Sequence, residues 1–485
     1  MRERREFIRD MAWMGALATL TGCVTGETPA EASAGCMIGH ALKPMKKIRV
    51  GLIGIGMRGD AALRRLAQIP VVELVALCDV VPSRVQKGAK HLSAVGRPTR
   101  HLFTGSDDWE RVCALPDVDV IYCCTDWRLH APVARRAMLE GKVVLTEVPG
   151  AMTVDDCWDL VETSERTRMP CMLLENACYN EKMLAVAMMN RAGLFGEMVY
   201  ADMGYVHDLR TKQFADMDAG GYWNRWRLKW NSEHVGDAYP THQLGCAVKY
   251  FFGINAGDRF DYLVSMSSKQ ACLEAYAKAA FPPDDERARQ KIAMGDLSVA
   301  LVKTVQKKMI VLQHSVTSPR PYHRGIVVGT KGCFAHLFGE TSRNGLCVET
   351  KPGEEFHSFL SEEKAEAYMK KYVHPLWADQ VKAMAKAVGG HGGCDFVMDL
   401  RWVYCLVTGQ PLDMDVYDLA SWSSLVELTE RSERNRGRSV DVPDFTRGAW
   451  KTAKPLDPAT MTVEPRALGI SADLRKLSDK GQLSV

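Results

Sequence analysis

The feature that most constrains this chain is an alternation of short apolar runs with amphipathic stretches between Lys46 and Asn176. Ile48 to Ile53, Val72 to Val80, Val118 to Thr125, Val143 to Glu147 and Met172 to Glu175 are rich in aliphatic residues, which predicts buried strands. Between them, Ala61 to Ile69, Pro82 to Leu92, His130 to Leu139 and Val154 to Arg166 have helical spacing. Such an alternation fits a parallel sheet covered by helices on both faces. The first strand is followed by glycines at Gly54, Gly56 and Gly59, and Asp79 ends the next strand 20 residues beyond Gly59. Glycine there permits a tight turn and close approach of a pyrophosphate to a helix N-terminus. An acid at that distance accepts hydrogen bonds from ribose hydroxyls and repels a 2′-phosphate. The pattern predicts a doubly wound dinucleotide-binding domain over residues 46–176, taking NAD rather than NADP.

Beyond Asn176 the pattern changes. Helices are expected at Glu181 to Ala192 and near Thr241 to Phe252. Strands are expected at Glu197 to Val206, Phe260 to Ser267, Leu297 to Thr304, Met309 to Ser315 and Gly325 to Gly329. Strands in succession with few helices predict an α+β domain with an open mixed sheet over residues 177–440. Late helices are expected at Trp377 to Val388 and Asp395 to Val407, and residues 441–485 read as an extended C-terminal extension. A length of 485 residues suits two or three domains.

The N-terminus carries an address. Arg4-Arg5-Glu6-Phe7-Ile8-Arg9 resembles a twin-arginine export signal. The apolar stretch Met11 to Leu20 is too short to span a bilayer, and Leu20-Thr21-Gly22-Cys23 resembles a lipobox. Residues 1–23 are read as the signal and 24–45 as a tether, so that Cys23 carries lipid and the folded chain leaves the cytoplasm as a periplasmic or surface lipoprotein. Lipid on Cys23 would be the only membrane contact. The 15 cysteines are an odd number without Cys-x-x-Cys pairs, and several lie in apolar runs, which points to core thiols and to neither a disulfide framework nor a metal site. Net charge is +3 with no local basic block, so nucleic acid is not an expected partner.

From Lys46 onward the sequence resembles the superfamily of glucose-fructose oxidoreductase and inositol 2-dehydrogenase. Most members carry Glu-Lys-Pro after the fifth strand, where this chain has Glu147-Val148-Pro149. That departure is itself a resemblance to glycoside hydrolase family 109, the NAD-dependent α-N-acetylgalactosaminidases. It is accompanied by Gly56-Met57-Arg58-Gly59, Trp127-Arg128-Leu129-His130, Glu175-Asn176-Ala177-Cys178-Tyr179, Gly204 to Arg210, Trp226-Arg227, Tyr239-Pro240-Thr241-His242 and Pro319-Arg320-Pro321-Tyr322. Residues 217–223 depart from the family pattern.

The resemblance implies NAD contacts at Met57, Arg58, Asp79, Trp127, Arg128, Leu129, His130, Glu147, Val148 and Asn176. It implies sugar contacts at Tyr205, Arg227, Tyr239, Pro240, Thr241, His242 and Tyr322. It implies release of terminal N-acetylgalactosamine from glycans through transient C3 oxidation, C1–C2 elimination, water addition and re-reduction, with tightly bound NAD regenerated each cycle. His242 and Tyr179 are the candidates for the proton transfers at C3 and C2. Superfamily members commonly pair subunits through the open sheet, so a homo-oligomer is compatible with the resemblance.

Read without the resemblance, His242 fits equally a core histidine near a helix start, and each tyrosine a packing aromatic. No Asp/Glu pair stands out as the two carboxylates of an ordinary glycosidase. A glucose-fructose-type sugar oxidoreductase with self-recycled NAD, and a sugar-binding lipoprotein without catalysis, remain the alternatives.

Overall fold

The computed structural model describes residues 35–319, 325–336 and 345–470. Arg4, Arg5, the segment Leu20 to Cys23, and Tyr322 lie outside the described residues.

The first half is the expected parallel sheet. Strands β1 (Ile48–Ile53), β2 (Val72–Cys78), β3 (His101–Phe103), β4 (Val120–Cys123), β5 (Val143–Thr146) and β6 (Cys171–Leu173) form six strands in the order β3-β2-β1-β4-β5-β6. Every pairing is parallel. Helices α1 (Met57–Leu66), α2 (Pro82–Ala94), α3 (Asp108–Cys113), α4 (Trp127–Leu139) and α5 (Val154–Thr167) make the crossovers. β4 and β5 are buried along their whole length, as strands covered on both faces must be. The order reverses between β1 and β4, and the glycine turn leaves β1 at that crevice. β3 and α3 were not anticipated, because a three-residue edge strand offers too little period to read.

The second half is a mixed sheet of eight strands, ordered β13-β12-β11-β7-β10-β9-β8-β14. Five of them are the expected ones: β7 (Met198–Val206), β8 (Phe260–Ser267), β9 (Ser298–Thr304), β10 (Met309–Ser315) and β11 (Gly325–Gly329). The short strands β12 (Gly332–His336), β13 (Gly345–Val348) and β14 (Val440–Asp441) extend the sheet at its two edges. β7 and β10 run parallel and the other pairs antiparallel. Burial alternates along β9 and β10, so one face is packed and the other open.

Helix α6 (Glu181–Arg191), α7 (Trp226–Glu233) and α8 (Thr241–Ala247) lie in the second half. The expected helix to Phe252 continues past α8 as a wider turn over Val248–Phe252. Helix α9 (Cys394–Thr408) is buried along nearly its full length and joins the halves. Its Asp399 accepts from Arg65 Nε of α1 at 2.6 Å and from the Tyr122 hydroxyl of β4 at 3.3 Å. A buried ion pair of this kind does little for net stability, but removing one partner strands the other charge.

Two expectations of extended chain are corrected. Residues 36–45 are not a free tether: Met37 is buried and its amide donates to the Tyr417 hydroxyl, and the Met45 amide donates to the Leu406 carbonyl. Nor is 441–470 an extended tail, because Phe445 packs on Trp158 at 4.7 Å between ring centres, and Met461, Leu468 and Ile470 are buried. Apolar residues spaced among prolines and polar residues bury without regular structure, which is why periodicity misses them.

Candidate active site

At the crevice, the glycine turn has the shape the sequence implied. Gly54 has φ +85, and a Cβ there would lie 2.5 Å from the Cys124 carbonyl oxygen. A Cβ on Gly59 would lie 1.9 Å from the Gly54 oxygen. Both contacts are impossible for any other residue, so the turn stays tight against β4 and α1. Gly56 caps α1 without any side-chain acceptor, which leaves the first-turn amides free for an anion. Asp79 accepts from the Ile55 amide at 2.6 Å and the Val81 amide at 2.8 Å, so it also braces the turn. Gly54, Gly56, Met57, Arg58, Asp79 and Leu129 line a cavity of about 290 Å³.

A second cavity of about 270 Å³ opens beside it, lined by Met57, Arg58, Trp127, His130, Glu147, Val148 and Asn176 from the first half. From the second half come Tyr205, Arg227, Tyr239 and His242. One wall is aromatic: the Tyr239 ring lies 5.9 Å from that of Trp127 and 4.7 Å from that of Tyr205, centre to centre. The Arg227 guanidinium lies over Trp127 at 4.9 Å and over Tyr239 at 5.2 Å. Arg227 is buried, and its Nε and Nη2 have no hydrogen-bond partner, an arrangement suited to ligand oxygens.

His242 sits at the start of α8 with its ring edge-on to Tyr205, centres 5.2 Å apart. Its Nδ1 lies 3.0 Å from Oε1 of the fully buried Glu175, close enough to pair but not aligned as a straight hydrogen bond. Burial raises the Glu175 carboxyl above its ordinary range, with His242 acting against that shift. This leaves Nε2 of His242 for the cavity.

His391 lines the same cavity, as do His130 and His207. His391 stands at φ 46 among Gly389, Gly390, Gly392 and Gly393, all of positive φ. Its Nδ1 is 2.9 Å from Oδ2 of Asp395, in the first turn of α9. Asp395 also binds Arg58 at 3.0 Å and accepts from the Asn176 side-chain amide. Burial opposes the Asp395 charge, but Arg58, His391 and Arg65 hold its carboxyl well below the usual range. The remaining acid of the cavity, Glu147, is paired with Arg58 at 2.8 Å.

With this geometry in hand, the comparisons decide the family. Residues 48–174 match the oxidoreductase family with an NAD-binding Rossmann fold, and residues 179–452 match the glycosyl hydrolase 109 C-terminal domain. The chain belongs to glycosyl hydrolase family 109. It is 43% identical over 417 residues to an alpha-N-acetylgalactosaminidase of Bacteroides fragilis, covering 86% of this chain and 96% of the relative. It is 41% identical over 431 residues to one of Shewanella oneidensis, covering 88% and 91%. Among solved structures it resembles levoglucosan dehydrogenase in complex with NADH, with TM-score 0.60 and 16% identity over 82% of this chain and all (100%) of that one. The WlbA dehydrogenase of Bordetella pertussis, in complex with NADH and UDP-GlcNAcA, gives 0.59 and 17% over 83% and 100%. At such identities these two establish the fold alone.

The family 109 chain is thus a glycoside hydrolase built on an NAD-binding domain, and its uncapped helix, tight glycine turn and Asp79 fit that cofactor. Of the sugar-side residues, Pro240 and Thr241 form the start of α8 behind Tyr239 and line neither cavity, and the same holds for Gly59, which serves the turn. Arg128 also lines neither cavity; it lies at the surface 3.6 Å from Glu233.

Tyr179 is corrected. It was expected to move a proton, but it is fully buried and its hydroxyl donates to Asp413 at 2.9 Å, itself paired with Arg401. Burial and then Asp413 push its phenol well above the ordinary range. The short 3-10 turn Asn176–Tyr179 aims Asn176 at the cavity and Tyr179 into the core. Reading by residue missed Glu175, His391 and Asp395. A signal existed for the second pair in the run Gly389 to Gly393, which surrounds a histidine with glycines no helix or strand needs.

Proposed function

We propose that this chain is an NAD-dependent exo-acting α-N-acetylgalactosaminidase that cleaves by elimination and re-addition of water rather than by direct displacement. The observation that carries the reading is the pair of cavity imidazoles, each backed by a buried carboxylate, His242 by Glu175 and His391 by Asp395. Direct displacement needs two carboxyl groups facing the sugar. Among the described residues Glu147 is the one acidic side chain lining this cavity, and Arg58 holds it. The activity printed for the relatives from Bacteroides fragilis and Shewanella oneidensis supports the same reading.

When bound, NAD supplies a reversible oxidation at a sugar hydroxyl, here the one on C3. A C3 ketone acidifies the C2 proton, and its loss expels the group on C1. Enclosed and held by Glu175, His242 is suited to take the C3 hydroxyl proton, release it to water in the cavity, and then take the C2 proton from a sugar resting on Tyr205, Tyr239 and Arg227. His391 is 60% exposed on its loop, so it is suited to protonate the departing oxygen and later to take a proton from the water that adds at C1. The C1–C2 unsaturated intermediate has no anomeric configuration, so the same groups can act on β as well as α linkages. A glucose-fructose-type oxidoreductase would need no group to protonate a leaving aglycone. Export and lipid on Cys23 belong to the same proposal, supported by Arg4-Arg5 and Leu20 to Cys23. An enzyme that returns its own cofactor to the starting state can work where no free NAD is supplied.

The test is turnover of nitrophenyl N-acetylgalactosaminides in heavy water. The released sugar is expected to carry deuterium at C2, with flat bulk absorbance of reduced cofactor. Cleavage that leaves C2 protium intact sinks the elimination route. Equimolar oxidised and reduced sugars without cleavage would establish the oxidoreductase instead.

A further inference from the structure

The dinucleotide groove of a doubly wound domain is open along one side when the domain stands alone. In this chain the second half reaches back across it. Gly221, Tyr222, Trp223 and Trp226 line the cavity of about 290 Å³ opposite Gly56 and Asp79. Tyr222 and Trp226 line the sugar-side cavity as well, so one short segment borders both.

The segment is built to stay where it is. A Cβ on Gly221 would lie 1.9 Å from the Ala215 carbonyl oxygen, so the loop can close this tightly only with glycine there. Asn224 and Arg225 both sit in the left-handed region, at φ 49 and 48, which asparagine adopts readily and arginine uncommonly. The holding groups are present: Arg225 pairs with Glu286 at 2.6 Å, Asp216 with Arg287 at 3.7 Å, and Lys229 donates to Asn224 at 2.7 Å. Tyr222 packs edge-on against Trp226 at 5.0 Å, and its hydroxyl accepts from Arg227 at 3.3 Å. Trp223 differs from its neighbours. It is 38% exposed, borders the cavity, and has no ring partner among the described residues. An indole held over a groove by a pinned loop, with nothing of its own chain to stack on, presents a face to whatever fills that groove.

We propose that residues 216–226 form a fixed strap over the adenosine half of bound NAD, with Trp223 packing on the ligand, and that this strap makes the cofactor resident. The strap itself rests on the NAD-binding domain, its advantage rests on the proposed glycosidase cycle, and its test uses no glycoside. A dehydrogenase that trades oxidised for reduced cofactor each cycle needs an open groove. A chain whose net redox change is zero loses nothing by closing it.

The measurement is exchange of bound cofactor with no glycoside present. Protein saturated with unlabelled NAD is mixed with excess isotopically labelled NAD, and bound label is followed by rapid filtration. Trp223→Ala is expected to speed exchange by about tenfold, the effect of losing one stacked aromatic. Glu286→Ala, which only releases Arg225 at the protein surface, is expected to speed it by a factor of about two to five. Equal rates in the three proteins overturn the strap, whatever the glycoside assays give. Complete exchange within the mixing time in the unmodified protein overturns it too. A folded Trp223→Ala that keeps no NAD supports the strap. Should that variant unfold, Glu286→Ala decides, and an unchanged rate there overturns the proposal.

Discussion

Four histidines line one cavity; two of them, His242 and His391, lean on buried carboxylates, and what separates these two is the backbone beneath. His242 belongs to a helix, is 13% exposed, and leans on a carboxylate with no exposure at all. His391 stands on a loop of glycines, is 60% exposed, and leans on a carboxylate at the first turn of the next helix. The chemistry of an imidazole beside a carboxylate is the same in both places. A helix gives a fixed position suited to protons on ring carbons and their hydroxyls, which occupy one place in every substrate. A glycine loop gives reach and contact with water, suited to an aglycone that differs from substrate to substrate. Rigidity and exposure, more than residue type, assign the two roles.

The largest expected effect breaks the comparison at its fixed member. His242→Ala should lower turnover by about 10² to 10⁴-fold on every N-acetylgalactosaminide, because losing the group that moves protons at the ring cannot be offset by a better leaving group. Bound NAD should remain at one per chain, read by release on denaturation. A loss that shrinks as the leaving group improves would place His242 at the aglycone instead.

The exposed member should respond to substrate. His391→Ala should cost about 10² to 10³-fold on oligosaccharides, whose departing oxygen needs a proton, and much less on nitrophenyl glycosides, which leave without one. The measurement is kcat/KM across a series of phenyl leaving groups, with a steeper dependence on leaving-group pKa in the variant. An unchanged slope would remove His391 from that role.

A smaller effect separates holding from reacting. Glu175→Gln keeps shape but not charge behind His242, and should lower kcat by about 10 to 10²-fold while leaving KM nearly unchanged, as expected of a positioning residue. Its carboxyl is raised by burial, so its charge is itself conditional on pH. The acid limb of the kcat profile should therefore move in Glu175→Gln. A profile unchanged in shape would mean that Glu175 only fills space.

The comparison also shows what was legible in the sequence. The parallel half could be read because each strand repeats a buried apolar run and each helix an amphipathic period, and the glycine turn with Asp79 added a fixed spacing. The cavity walls followed from the family motifs. The carboxylates were harder. Glu175 lies in a quoted motif but 67 residues before His242, and Asn176 lies 219 residues before the Asp395 it donates to. No local period encodes such partners, because they meet only when segments distant in the chain pack together. Tyr179 was misread for the complementary reason. It shares a motif and a short turn with the cavity residue Asn176, so it reads as a site residue until its ring is seen in the core with its hydroxyl on Asp413.

Another imidazole and carboxylate pair sharpens the contrast, because it lines neither cavity of the site and should show only in stability. His314 and Asp237 lie 4.0 Å apart, both buried, with His314 stacked behind Tyr205 at 6.2 Å. Burial pushes the Asp237 carboxyl up to about 7, against the amide of Tyr239 that it binds. Burial and then Arg227 push His314 down to about 3. The signs are opposite. Asp237 binds its proton more readily folded than unfolded, so its contribution is present below its unfolded value and lost as pH rises towards 7. His314 stays neutral when folded, so its contribution is present above its unfolded value and lost as pH falls below about 6.5 towards 3. Between pH 4 and 6.5 the two nearly cancel in the unmodified protein. Asp237→Asn removes one side, and stability should then rise with pH by up to about 1.4 kcal/mol per unit more than in the parent across that window. Thermal melts at half-unit steps of pH measure it. A variant whose pH dependence parallels the parent's would mean that Asp237 is already ionised at pH 4, and that water or a relaxed backbone solvates a carboxylate the fold otherwise encloses.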